Sequence, residues 1–526
     1  MAAFINEKRK DNYLYLCLSL KLGMGIIIRQ SIKGSIVTYL GAFLGFITTA
    51  VVANYFLTKE QFGLTRVLIE AAIIVSVFAQ LGLSSSAIKF FPQFKTSDGR
   101  NHGFLFYLFV VPLFGLLIFG LLYVFLKPEI YSYFSKNSAL FVKYFYWVIP
   151  LAFFITYMTV FETYASILSR IVVPKIIKEI VIRVLTVALF ALLFFGFISL
   201  NMFVGIFISI YGLAMLLNIF YIFKISAFTL KPNFSFISPE LKRKIITYSL
   251  FIIGASVGTS IVGKIDIFMI SGVMGLGYAA IYSMAYYMAS IIEIPSRSIL
   301  AISYPIVSAA INENNWEKVN DMYKRICLNQ LLIGCFIFLV IWVGVDDIFK
   351  IIPNEAIYKQ GKYVILFIGI SKLFDLATGF NSAILLFSRY YYYMLFFIFF
   401  LSGLTIATNL WLIPIFGING SAIATAISIL LYNAILTFFI YRKHKSQPFS
   451  MNMFKNIVIF ALTLGINKVL FTFSNPFIDL IYRVIIASAI YGLLIYFFKI
   501  SPEFNELLKS SLKKGAIKKL YIFGKK

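Results

Sequence analysis

A chain of 526 residues that is 61% hydrophobic and 13% charged, with mean hydropathy +0.91, carries more apolar surface than a water-soluble core can hide. This excludes a soluble globular protein, and apolar runs that are continuous rather than alternating exclude a transmembrane β-barrel. The formal net charge of +26 raises nucleic acid as a partner, but the cations are spread through short loops between apolar runs, so no nucleic-acid binding is expected.

In chain order, "YLYLCLSL" near the start is too short to span and lacks a small-residue cleavage site. Met24 then opens a stretch that reads as a natural start, so residues 1–23 are expected to be an upstream extension of a cytoplasmic N-terminal segment 1–33. From Ser35 to Phe498, apolar runs of roughly 20 residues recur, about 14 in all. They lie at 34–57, 64–92, 103–126, 143–168, 177–196, 201–223, 245–272, 277–306, 326–344, 362–387, 391–412, 416–441, 455–473 and 477–499. The expected class is an all-α polytopic membrane protein of about 14 transmembrane helices.

Basic residues alternate from loop to loop. One set holds clusters such as Lys242, Arg243 and Lys244, then Arg442, Lys443 and Lys445, and the tail from Lys499 to Lys526; the other holds only Lys59, Lys127, Lys136, Lys350 and Lys359. By the positive-inside rule both termini are cytoplasmic, as an even number of spans requires. The basic tail reads either as an amphipathic segment near anionic headgroups or as a solvated end. Cys17, Cys327 and Cys335 show no metal or disulfide spacing, and His102 and His444 fall in loops, so no metal site is expected.

The chain repeats internally. Gly63 and Gly277, Pro92 and Pro305, the Ser-Arg pairs at 169–170 and 388–389, and Glu162 and Asp375 recur in order at offsets of about 213 to 219 residues. This gives two pseudo-symmetric six-helix bundles, 34–230 and 240–445, then helices 13 and 14 within 453–499 and a basic cytoplasmic tail, 500–526. Halves with an even number of spans enter from the same side, the parallel-repeat arrangement of some secondary transporters.

The segment "KIDIFMISGVMGLGYAAIYSMAYYMASIIEIP" with "SYPIVSAA", and the earlier "FGLTRVLIEAAIIVSVFAQLGLSSSAIKFFP", resemble the polysaccharide flippases of the multidrug/oligosaccharidyl-lipid/polysaccharide exporter superfamily. The resemblance runs from Met24 to about Lys499 and specifies the superfamily better than the substrate. It implies flipping of an undecaprenyl-diphosphate-linked oligosaccharide to the outer leaflet of a bacterial cytoplasmic membrane, by alternating access. The expected role is in cell-surface polysaccharide biosynthesis, of which the O-antigen of lipopolysaccharide is one example. Membrane lipids and polysaccharide assembly enzymes are the implied partners. Neither an enzymatic activity nor a cofactor is expected, beyond a coupling proton or sodium ion.

An ionisable group near the bilayer centre costs about 2.5 to 3.5 kcal/mol on insertion scales, so it faces a partner or a wet cavity. Glu293 and Arg297, Glu179 and Arg183, and Asp479 and Arg483 are spaced i,i+4, and Lys372 and Asp375 i,i+3, spacings that share a helix face. Arg66, with Glu70, and Lys468 are expected to snorkel to the outer surface. Lys264 and Asp266 lie about 200 degrees apart on their helix and need separate partners. Lys264, Asp266, Glu293, Arg297, Lys372, Asp375 and Glu162 are therefore the candidate lining of a substrate cavity, with Tyr282 and Tyr286 as candidate stacking surfaces. Structural neutralisation of the charges, and packing of the aromatics, are the competing readings. Cations there suit a diphosphate; the carboxylates suit sugar hydroxyls or a coupling ion.

Two other functions are open. A cation-coupled drug or metabolite exporter of the same superfamily is expected, by resemblance, to carry an acidic residue in its first helix, and "SIVTYLGAFLGFITTAVVANYFL" has none. A polysaccharide polymerase or glycosyltransferase is expected to display a sizeable external loop with catalytic residues; the longest here, around Asp346 and Asp347, is short.

Overall fold

The computed structural model of the protein describes residues 33–34, 36–96, 98, 100–226 and 231–506. Among these the regular structure is helical throughout, with no strand, and each apolar run expected to span carries helix over most of its length. Eight helices are long and apolar enough to cross a membrane, or nine if the bent pair Glu355–Thr378 and Asn381–Phe387 is one span. The N-terminal extension, Cys17 and most of the basic tail lie outside the described residues.

The chain divides into two compact units, Met1–Gly277 and Tyr278–Lys526. The main helices of the first are α1 (Ile36–Phe56), α2 (Lys59–Ala79), α3 (Leu83–Phe94), α4 (Phe104–Phe125), α5 (Val148–Ile167), α6 (Ile182–Phe194), α7 (Leu200–Ile225) and α8 (Pro239–Val273). Their starts are written in the sequence. Thr58 and Gln61 form a reciprocal capping box at α2, and Ser199 and Ser238 cap α7 and α8, satisfying amide groups that lipid cannot.

α2 is the centre of this unit, packed on α4, α5 and α8. α8 packs on α2 and α3. Gly82 allows it, and Gly63 admits the chain just beyond α8. A Cβ on Gly63 would lie 1.9 Å from the Leu276 carbonyl oxygen, and one on Gly82 would lie 2.6 Å from that of Ser249. Gly82 also has φ +70, and with Leu81 at φ 49 it breaks the apolar run between α2 and α3.

The second unit contains α9 (Leu276–Ser290) from Tyr278 on, α10 (Ile294–Asn312), α11 (Trp316–Val343), α12 (Val345–Ile351), α13 (Lys362–Thr378), α14 (Asn381–Phe387), α15 (Tyr393–His444), α16 (Met451–Val469) and α17 (Pro476–Phe497). Its core gathers Tyr323, Cys327, Leu339, Phe380, Leu436 and Tyr491. The 52 residues of α15 are not one rod: Gly417 leaves helical geometry at φ 59, ψ −136. Beyond it the chain doubles back, with Ser421 donating to Asn409 at 2.7 Å and Thr408 bonded to Ser428 at 3.2 Å. The runs 391–412 and 416–441 are thus the two arms of a helical hairpin.

Candidate functional site

Most of the intramembrane charges collect in two clusters, one within each unit. In the first, Glu70 of α2 is buried and accepts from Lys264 of α8, whose Nζ lies 3.2 Å from Oε1 and 3.1 Å from Oε2. The packing of α8 on α2 makes this pair, so Glu70 does not snorkel. One turn earlier Arg66 donates to the Thr49 hydroxyl at 2.7 Å and lies 4.9 Å from the centre of the Phe62 ring. Arg183 of α6 reaches Glu179 at 2.9 Å, and Tyr211 of α7 is within charge-interaction range of Arg66, Arg183 and Glu70. Among these side chains cations outnumber carboxylates, Arg66, Arg183 and Lys264 against Glu70 and Glu179.

Such an excess suits an anion. Arginine offers a planar fork to phosphate oxygens and lysine a point charge, and the surrounding low dielectric strengthens both. Asp266, two residues beyond Lys264, is buried at 3% exposure. Glu162 of α5 is paired with Lys178 at 2.9 Å.

In the second unit Glu293 ends a tight turn, Ile291–Glu293, that interrupts the run from α9 to α10 ahead of Pro295. From this break its carboxylate accepts from Lys372 of α13 at 2.7 Å and from Arg297 at 3.3 Å. Lys372 also lies 5.8 Å from the Tyr286 ring centre. The expected pairing of Lys372 with Asp375 is corrected here: the shared face is real, but Lys372 reaches across to α9–α10, and Asp375 instead accepts from Asn433 of α15 at 3.0 Å. Arg297 is exposed, whereas Tyr282 is fully buried with its ring stacked 6.0 Å from that of Tyr286.

The profile of the polysaccharide biosynthesis protein family matches residues 27–311, which hold the whole first cluster and the Glu293 turn. The chain belongs to this family. Among curated proteins none matches it in sequence. As a polysaccharide biosynthesis protein it has the fold of the lipid II flippase MurJ in its inward closed conformation, at TM-score 0.66 and 16% identity over 89% of this chain and 98% of that one. It is also similar to an inward-facing multidrug resistance MATE transporter of the MOP superfamily (TM-score 0.56, 14% identity, 78% and 94% covered) and to an outward-facing one (TM-score 0.52, 14% identity, 80% and 95% covered). The fold is thus that of the MOP transporters, as the resemblance implied.

Sequence reasoning placed Lys264 among the candidates but missed Glu70, Arg66 and Arg183 as its companions, and Asn433 as the partner of Asp375. The signal for the first three was the charge itself in an apolar run; for Asn433 there was none. Among the described residues no three His, Cys, Asp or Glu side chains are grouped to hold a metal.

Proposed function

We propose that the protein flips a lipid-diphosphate-linked oligosaccharide, of the undecaprenyl-diphosphate class, from the cytoplasmic to the outer leaflet of a bacterial cytoplasmic membrane, for assembly of a cell-surface polysaccharide such as O-antigen. It acts by alternating access, without covalent chemistry of its own, and both termini lie in the cytoplasm. The observation that supports this reading is the excess of Arg66, Arg183 and Lys264 over Glu70 and Glu179 inside the membrane-spanning helices of a polysaccharide biosynthesis family member. Charges there are costly to insert, and a diphosphate gives them a use. Glu293, Lys372 and Asp375 form the second polar group available to the sugars or to a coupling ion.

The MATE-like fold also suits cation-coupled export of small molecules, but α1 carries no Asp or Glu to bind a coupling ion. The two readings separate in proteoliposomes. Purified protein should move a fluorescent lipid-diphosphate oligosaccharide to the leaflet where an added glycosidase cleaves it, and should not do so with Lys264→Ala. Equal cleavage in empty vesicles and with the protein would refute the proposal.

A further inference from the structure

The first unit contains a cavity of about 280 Å³ that none of the charged groups lines. Its walls are Val77 and Gln80 of α2, Gly82, Ser84 and Ser85 at the start of α3, Thr159 of α5, and Ile252 and Ser256 of α8. It sits where the break at Leu81 and Gly82 interrupts the apolar run, and broken spans in transporters are tolerated where they line a cavity.

The lining is organised before any ligand arrives. The Ser84 hydroxyl donates to the Gln80 carbonyl oxygen at 2.7 Å, and the Gln80 amide donates to Ser76 at 3.3 Å. Ser76 in turn is bonded to Thr156 at 2.9 Å, and both are buried. This chain of hydroxyls fixes which end of the Gln80 amide faces which neighbour. The Thr159 hydroxyl donates to its own helix at Ile155 O, at 2.9 Å, and keeps acceptor capacity on the cavity side.

The ligand class follows from this wall. An amide and four hydroxyls, with no charged side chain among the described lining residues, do not neutralise an anion or a bare cation. The volume corresponds to several waters, at about 30 Å³ each, rather than one ion. Val77 and Ile252 add an apolar face. Hydrogen-bonding groups around the edge and an aliphatic wall match a sugar ring, which has hydroxyls at its rim and C–H groups on its faces. Position agrees as well. Val77 is two turns from Glu70 on the same face of α2, about 10 Å along the axis. Thr159 stands one turn from Glu162.

We infer that this cavity is a glycosyl-binding subsite, holding a sugar of the lipid-linked oligosaccharide while the diphosphate lies at the Arg66 and Lys264 cluster. The inference rests on the function proposed above.

The test compares two probes on the purified full-length protein in detergent: undecaprenyl diphosphate, and the lipid-linked oligosaccharide extracted from cells that lack this protein. Wild type should bind the glycosylated lipid about tenfold more tightly, the worth of one or two well-made hydrogen bonds. The Q80L/S84A variant should lose that preference and keep its affinity for undecaprenyl diphosphate. Ile252→Phe, which fills the cavity and leaves the Gln80 network intact, should do the same, so a folding defect in one variant does not decide the matter. A preference retained in both variants overturns the subsite, as does equal binding of both lipids by wild type. Thermal stabilisation of wild type by sodium alone, lost in Q80L/S84A, would make the cavity a cation site and also overturn it. If wild type binds neither lipid, the flippase reading itself fails.

Discussion

Removing the Glu70 carboxylate should cost more than removing both members of its ion pair. Glu70 and Lys264 approach to 3.1 Å, with side-chain exposures of 7% for the carboxylate and 36% for the ammonium. Truncating one partner of a fully buried pair costs about 3–5 kcal/mol, and an exposed pair is worth 0–1, so a pair buried at one end and partly open at the other should lose about 2 kcal/mol with Glu70→Ala. Most of that loss is the lysine left in an apolar wall. Exchanging Lys264 for methionine in the same chain removes that charge and fills its volume, so E70A/K264M should melt higher than E70A alone. The assay is thermal unfolding of the purified variants in one detergent, read as apparent melting temperature, beside transport in vesicles. Transport should fall in E70A/K264M, which lacks the Lys264 ammonium. Melting losses that simply add in the double variant would show that the two side chains are not energetically coupled, and would refute the account of this cluster.

The Lys372 and Glu293 pair predicts a parallel effect in the second unit. Glu293→Gln should lower apparent melting temperature more than Asp375→Asn, because Glu293 holds both Lys372 and Arg297 whereas Asp375 holds an amide; the reverse order would place the electrostatic weight on Asp375. Gly63→Val should abolish accumulation in the membrane, since its Cβ would meet the Leu276 carbonyl oxygen at 1.9 Å, whereas Gly403→Ala, with open space at its Cβ, should accumulate normally; immunoblots of membranes decide. Arg483→Met should loosen the α16–α17 hairpin, because it removes bonds to Asp479 at 2.7 Å, to Thr472 at 2.7 Å and to the Asn467 carbonyl at 3.0 Å. Limited proteolysis at 470–475 should speed up several-fold, and an unchanged rate would contradict that.

The class was legible because apolar runs are local, whereas several helix starts were placed too late, as at α11, which begins at Trp316 rather than at 326. Apolar runs report the membrane, and Thr58, Ser199, Ser238, Asn315, Ser450 and Asn475 each sit before a helix and cap it. The family resemblance was likewise carried by short segments along the chain. The partners of the charges were not legible, because helix spacing tells which residues share a face and not what packs against it. Arg66 and Glu70 were expected to reach the outer surface, yet each turns to another helix, to Thr49 and to Lys264. Lys372 and Asp375 share a face and still choose different partners. The hydroxyl cavity gave no signal, since serine and threonine in apolar helices commonly bond their own carbonyls, as Thr159 does. The close packing around α8 was hidden for a related reason. Gly63 and Gly82 mark a close approach only when the opposing carbonyls are known.

The central claim is that this chain carries lipid-linked sugar across the membrane. The measurement that tests it most directly is the sidedness of lipid-linked oligosaccharide in cells lacking the protein, read with a glycosidase that reaches only the outer face. The account predicts accumulated repeat units protected from the enzyme until the cells are opened, with protection relieved by the wild-type chain and not by Lys264→Ala. Single units exposed to the enzyme on intact cells would contradict it and indicate a blocked polymerase or transferase instead.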